Sequence, residues 1–263
     1  MRLGGSDAMS TNERDTDKDW RRVAQDEPFW GVLSHSEYRK DAMNDERLKQ
    51  FMDTGETFIA NLFAFVRKHL LPDFNPVRAL DLGCGVGRLA IPMAKRAKEV
   101  VGVDVAPAML GICADLAKTT GIDNLRLVES DDTLSRVTGK FDLINTYIVL
   151  QHIPPERGYR LIQAMLDLLQ VGGIASIQVT FAKSRKFLVN ESPTALFYRR
   201  DGKSLIDVID AGWHPAEGTI NMFDYDLNNV VAMLTRSSGA PMLVLPTNDD
   251  NHLGVHFIMQ KVR

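Results

Sequence analysis

The chain has 263 residues, a formal net charge of -3, 44% hydrophobic and 25% charged residues, a balance that belongs to a folded globular chain and excludes a disordered or low-complexity one. The slight acidity offers no global attraction to a phosphate backbone, so nucleic acid is not an expected partner. No run approaches the roughly 20 apolar residues of a spanning helix, so no membrane contact is expected either.

Residues 1–19 are polar with mixed charges and lack the apolar core of a signal peptide, so they read as a disordered tail; Met9 is a second candidate start, and residues 1–8 need not be native. From Trp20 the chain turns aromatic, with Phe29, Trp30, Tyr38 and Phe51, and residues 34–69 space Leu48, Phe51, Met52, Phe58, Leu62, Phe65 and Val66 as a helix does, with Gly55 expected to break it into two. Residues 20–70 therefore read as a helical cap. Strand and helix then alternate as in a parallel sheet: strands at 77–82, 99–104, 125–128, 141–146 and 174–181, and helices at 88–97, 107–120 and 155–169, the last stopped by Gly172 and Gly173. Residues 183–225 show little periodicity and read as a substrate-side insertion in a core spanning 71–263. A helix at 226–236, capped by Asp226, precedes strands at 242–245 and 255–261 that pair antiparallel.

The most specific pattern is Asp81-Leu82-Gly83-Cys84-Gly85-Val86-Gly87-Arg88, between an apolar strand and a helix. Glycines at alternate positions let the backbone turn sharply and a ligand lie against it, and the helix beyond offers free N–H groups. A dinucleotide fold wants its third glycine at position 88, where this chain has arginine, so a nicotinamide oxidoreductase is disfavoured. Asp104 ends the second strand beside the loop, where a carboxylate can accept from both hydroxyls of a ribose. Asp131, followed by Asp132 after the third strand, is placed either to accept from an adenine amino group or to cap a turn.

These residues resemble the class I, Rossmann-like S-adenosylmethionine-dependent methyltransferases, particularly the small-molecule enzymes, over residues 76–181. The resemblance implies an α/β fold with a seven-stranded, mostly parallel sheet, helices on both faces and an antiparallel last strand. It also implies S-adenosylmethionine as cofactor: Asp81, Gly83, Cys84, Gly85, Gly87 and Arg88 around the methionine moiety, Asp104 on the ribose, Asp131 and Asp132 at the adenine, and Val105 and Met109 packed on its ring. Asn145, Thr146 and Tyr147 match the segment that passes under the methyl donor. The Asn-Pro-Pro-Tyr type motif of enzymes that methylate nucleic-acid amino groups is absent there.

Methyl transfer needs mainly alignment, and an acceptor hydroxyl or protonated amine profits from a base. His152 is the first candidate, with loop anchoring as its other reading; His214, in the insertion, is the second, with a plain surface position as its other reading. Phe29, Trp30, Tyr38, Tyr198 and Arg199 are expected to shape the acceptor pocket. No metal-ligand cluster is evident, so metal-free transfer is expected. Two cysteines, Cys84 and Cys113, suit a reduced cytoplasmic chain. A non-catalytic protein that binds S-adenosylmethionine for regulation fits the loop and Asp104 equally well. Neither the acceptor nor the oligomeric state, a homodimer among the options, is written in the sequence.

Overall fold

A computed structural model describes residues 16–183, 196–200, 206–210, 222–237, 242–249 and 252–262. Nine strands and seven α-helices are seen among them. The helices are α1 (Thr16–Asp26), α2 (Pro28–Val32), α3 (Asp45–His69), α4 (Ala90–Ala94), α5 (Pro107–Thr119), α6 (Pro155–Leu168) and α7 (Leu227–Ser237). The strands are β1 (Arg78–Leu82), β2 (Glu99–Asp104), β3 (Leu125–Glu129), β4 (Phe141–Thr146), β5 (Leu169–Lys183), β6 (Leu196–Arg200), β7 (Ile206–Asp210), β8 (Met242–Asp249) and β9 (His252–Gln260).

Seven strands form one sheet in the order β3-β2-β1-β4-β5-β9-β8, while β6 and β7 pair separately. The first five are parallel to their neighbours and β9 runs antiparallel to both β5 and β8, as the sequence led one to expect. The strand order reverses between β1 and β4, where an open α/β sheet forms its ligand crevice. Apolar side chains alternate between two cores: one face packs on α6 and α7 around Phe141, Ile162 and Phe257, the other on α3 and α4 around Ile59, Phe63 and Met93. A third cluster, with Tyr38, Phe51, Val86 and Met109, joins the N-terminal helices to α5.

Several expectations need correction. Ordered helix begins at Thr16, inside the segment read as a tail. Gly55 breaks nothing, since α3 is one helix of 25 residues and Gly55 is buried within it; a Cβ there would stand 1.8 Å from the Arg88 carbonyl oxygen, so its role is close packing. The helix after the glycine loop is confined to Ala90–Ala94, because the loop extends to Leu89 and the chain must turn early for Lys98 and Glu99 to bond the Val77 carbonyl. Gly172 and Gly173 do not end α6; they lie within β5 and exchange backbone bonds with Lys261 at 2.7 and 2.8 Å. No helix among the described residues is long and apolar enough to cross a membrane.

Candidate active site

The carboxyl ends of β1, β2 and β4 open on a cavity. Its floor is the glycine loop. Gly83 and Gly85 have φ of +73° and +52°, a region open to glycine, and a Cβ at Gly83 would lie 2.3 Å from Val149. Gly83 and Cys84 donate their N–H groups to the Val103 carbonyl at 2.7 and 3.0 Å, pinning the loop to β2. Asp104 staples the same junction: Oδ2 accepts from Gly85 N and Oδ1 from Ala106 N, each at 2.9 Å. Burial raises the Asp104 pKa and the backbone donors pull it down. Each oxygen keeps a second lone pair for a ligand hydroxyl.

Beneath the loop a buried polar row crosses four strands. Asn145 Nδ2 donates to Asp81 Oδ1 at 2.8 Å, Ser176 Oγ donates to Asn145 Oδ1 at 2.8 Å, and Ser176 Oγ lies 2.8 Å from His256 Nε2. Since the serine proton is committed to Asn145, His256 must donate from Nε2. Burial lowers the His256 pKa to about 4, which keeps the ring neutral, and raises that of Asp81 to about 7.

Arg88 is 6% exposed and lines the cavity. Its Nε makes no hydrogen bond, and none of the described carboxylates forms an ion pair with it. The charges of Asp81 and Asp249 offset only part of the cost of burying it, so this guanidinium is the feature most in need of an anionic ligand.

The far wall comes from α1. Arg157 of α6 donates to Asp17 at 2.8 Å and to Asp132 at 2.7 Å, tying α1 to the loop after β3. Trp20 meets the His152 ring edge-on at 4.9 Å, and Arg21 Nε donates to the Val105 carbonyl at 3.3 Å.

A family model described as a methyltransferase domain matches residues 79–173, the stretch that holds the loop, Asp104 and Asn145. That segment is a methyltransferase domain. The ubiquinone biosynthesis O-methyltransferase of Ruegeria pomeroyi is 33% identical over 101 residues, which are 38% of this chain and 40% of that protein. The trans-aconitate 2-methyltransferase of Deinococcus radiodurans is 30% identical over 138 residues, 52% of this chain and 48% of that protein. The match thus spans less than half the length of either relative. The fold is similar to that of the magnesium protoporphyrin IX methyltransferase of Synechocystis, solved with SAH bound, at a TM-score of 0.57 and 16% identity over 93% of each chain. This is the class I methyltransferase fold.

Around the methyltransferase domain the structure gathers most of the expected residues. Asp81, Gly83, Cys84, Gly85, Arg88, Asp104, Val105, Met109, Asp131, Asp132, Tyr147 and His152 all line the cavity. Gly87 and Asn145 stand behind it: a Cβ on Gly87 would strike Cys113 Sγ at 2.6 Å, and Asn145 belongs to the buried row. Asp131 shows its turn reading. Its Oδ1 accepts from Thr133 N, Thr133 Oγ1 and Ser135 N, and its Oδ2 accepts from Ser135 Oγ at 2.6 Å, bonds that hold it well below the usual carboxylate range.

Phe29, Trp30 and Tyr38, expected to shape the acceptor pocket, lie off this cavity. Phe29 and Tyr38 pack edge-to-face on Phe51 at 5.3 and 5.2 Å, and Trp30 lies under the Arg39 guanidinium at 3.7 Å. None of the three lines the cavity, whereas Trp20, Gly31 and Val32 from the same segment do. Tyr198 and Arg199 lie on β6, paired with Val208 and Asp207, and their side chains are outside the described residues, as is His214 altogether. Arg157 and Asp17 were missed by sequence reasoning, because nothing local marks a pair 140 residues apart.

Proposed function

We propose that the protein transfers a methyl group from S-adenosylmethionine to a small-molecule acceptor. The observation that carries this reading is the opening of the glycine loop, Asp104 and the buried, unpaired Arg88 on one cavity. In it Asp104 receives the ribose hydroxyls, Arg88 the methionine carboxylate, and the wall of Val105, Met109, Trp20 and His152 the adenine. When bound, the donor supplies a methyl carbon already activated by its sulfonium, the carbon–sulfur bond breaking with its electron pair to sulfur. The residues then have to hold the acceptor in line and exclude water, and positioning of this kind is worth on the order of 7–11 kcal/mol in favourable cases.

His152 sits between Trp20 and Gln151 Nε2, the latter 3.2 Å away, and serves this wall; replacement by alanine tests a further role as base, which unchanged turnover at saturating acceptor would remove. The two free cysteines, Cys84 and Cys113, are both buried and suit the reducing cytoplasm as the compartment.

Calorimetric titration with S-adenosylhomocysteine and with NADH tests the donor. Binding of the first alone is expected, and binding of NADH instead would overturn the proposal. Methyl-labelled donor offered with metabolite fractions and with structured RNA then tests transfer. Label in the metabolites is expected; label in RNA refutes the small-molecule acceptor, and donor binding without label anywhere favours a regulatory binding protein.

A further inference from the structure

Side chains alternate along a strand, so Gln178 of β5, Gly254 of β9, and Thr247 and Asp249 of β8 fall on the sheet face that carries Leu143, Ile174, Ile258 and Leu245 against α3, and Tyr147, just past the end of β4, packs on the same cluster. They lie at the carboxyl edge, beyond the polar row. In this corner three polar atoms are buried without a hydrogen-bond partner: Gln178 Nε2, Thr247 Oγ1 and Asp249 Oδ2. Orphans of this kind are rare in folded proteins, and three together mark a place suited to a bound water or a ligand hydroxyl.

The atoms are neighbours. A Cβ on Gly254 would come within 2.5 Å of Thr247 Oγ1 and 2.9 Å of Gln178 Nε2, so both converge where the glycine leaves room. Asp249 follows Thr247 by two residues on the same face. The amide of Gln178 cannot turn to satisfy itself, because its Oε1 accepts from Ile148 N at 3.1 Å. Ile148 has a φ of +60°, costly for a β-branched residue, and that bond holds it in the cavity wall. Tyr147 and Ile148, which line the donor cavity and touch His256 and Gln178, thus stand where corner and cavity meet. The Tyr147 ring adds an aromatic surface, packed on Phe58 at 4.4 Å and His256 at 5.3 Å.

The chemistry of the orphans describes what would fill them. An amide NH2 donates to an oxygen, a carboxylate accepts from a hydroxyl, and the threonine hydroxyl does either. An apolar ring would leave all three unmet, and an anion would face the Asp249 carboxylate, whose charge already opposes that of Arg88. We infer that this corner is the acceptor subsite and that it takes an uncharged, hydroxyl-rich molecule seated beside Tyr147, Gln178, Thr247 and Asp249. The inference rests on the methyltransferase reading and adds the acceptor's class to it.

The test uses the full chain with methyl-labelled S-adenosylmethionine and the two halves of a bacterial metabolite extract, aqueous and butanol-extracted, as acceptor probes. Label is expected in uncharged products of the aqueous half. Thr247→Val and Asp249→Asn should each lower kcat/KM for that half by about tenfold or more, and in Thr247→Val, which leaves the charge beside Arg88 untouched, the Kd for S-adenosylhomocysteine, which also reports folding, stays at the wild-type value. Label confined to the butanol half, or to anionic products, overturns the inference. So does wild-type kcat/KM in both variants, or tight S-adenosylhomocysteine binding with no aqueous product. If S-adenosylhomocysteine does not bind the wild-type chain, the donor assignment itself has failed, a result separate from all of these.

Discussion

Replacing Arg88 by methionine should separate folding from binding in opposite directions. The guanidinium is buried, has no ion-pair partner among the described residues and leaves Nε unbonded. Burial pulls its pKa below the usual value, with Asp81 first among the groups that oppose this. Its stem lies against Gly55 of α3, a volume that methionine fills without the charge. The effective penalty for such a buried ion is several kcal/mol, so Arg88→Met should leave the melting temperature of the ligand-free protein unchanged or higher. Donor affinity should fall, because charge-assisted hydrogen bonds contribute about 1.5–3 kcal/mol, or roughly 10- to 100-fold in Kd. Calorimetry with S-adenosylhomocysteine measures that loss. Methylthioadenosine, which has the nucleoside and sulfur but no carboxylate, should bind the variant and the wild type alike. An unchanged Kd for S-adenosylhomocysteine, or equal losses for both ligands, would refute the assignment of Arg88 to the carboxylate.

The buried row gives opposed pH dependences. The Asp81 pKa is raised from 3.8 to about 7, so its contribution to stability is complete below 3.8 and is lost as pH rises through 7; His256 is lowered from 6.5 to about 4, so its contribution is complete above 6.5 and is lost as pH falls through 4. Between roughly pH 4 and 6.5 the two oppose each other. Urea midpoints should therefore rise with pH in Asp81→Asn and fall with pH in His256→Gln across that window, and matching profiles in both would contradict the row. Arg157→Met should release α1, seen as faster amide exchange in residues 16–26 and faster dissociation of S-adenosylhomocysteine; exchange at the wild-type rate would mean that Trp20 alone holds the helix. Gly55→Ala gains about 1 kcal/mol in helix propensity but drives a methyl into the Arg88 carbonyl, so a net loss of about 1–3 kcal/mol is expected by thermal melting. A higher melting temperature would show that α3 can shift.

What the sequence disclosed was local. An apolar run, alternate glycines and an acidic strand end set β1, the loop and Asp104 within the contiguous residues 78–104, and each was recoverable because strand, turn and helix obey short-range rules. The two apolar runs at 242–245 and 255–261 likewise announced the terminal antiparallel pair. What stayed hidden depends on distant partners. Gly55 looked like a break because propensity cannot see the Arg88 carbonyl packed against it. Thr16 and Asp17 looked like tail because their order comes from Arg157, far along the chain. Asp131 carried two readings in sequence, and the bonds from Thr133 and Ser135 realise the turn while the residue still lines the cavity. One signal was available and passed over: Ser176, Gln178 and Thr180 are polar at every second place in an otherwise apolar strand, the period-two mark of a face with polar business.

The reversal of strand order between β1 and β4 also divides the molecule's labour along the chain. Everything assigned to the donor up to Tyr147 precedes β5, while Gln178, Thr247 and Asp249 follow from it. A hybrid that keeps residues up to the end of α6 and borrows the remainder from a homologous enzyme would inherit new acceptor preferences on an unaltered donor platform, provided that the borrowed strand supplies partners for Asn145 and Ile148.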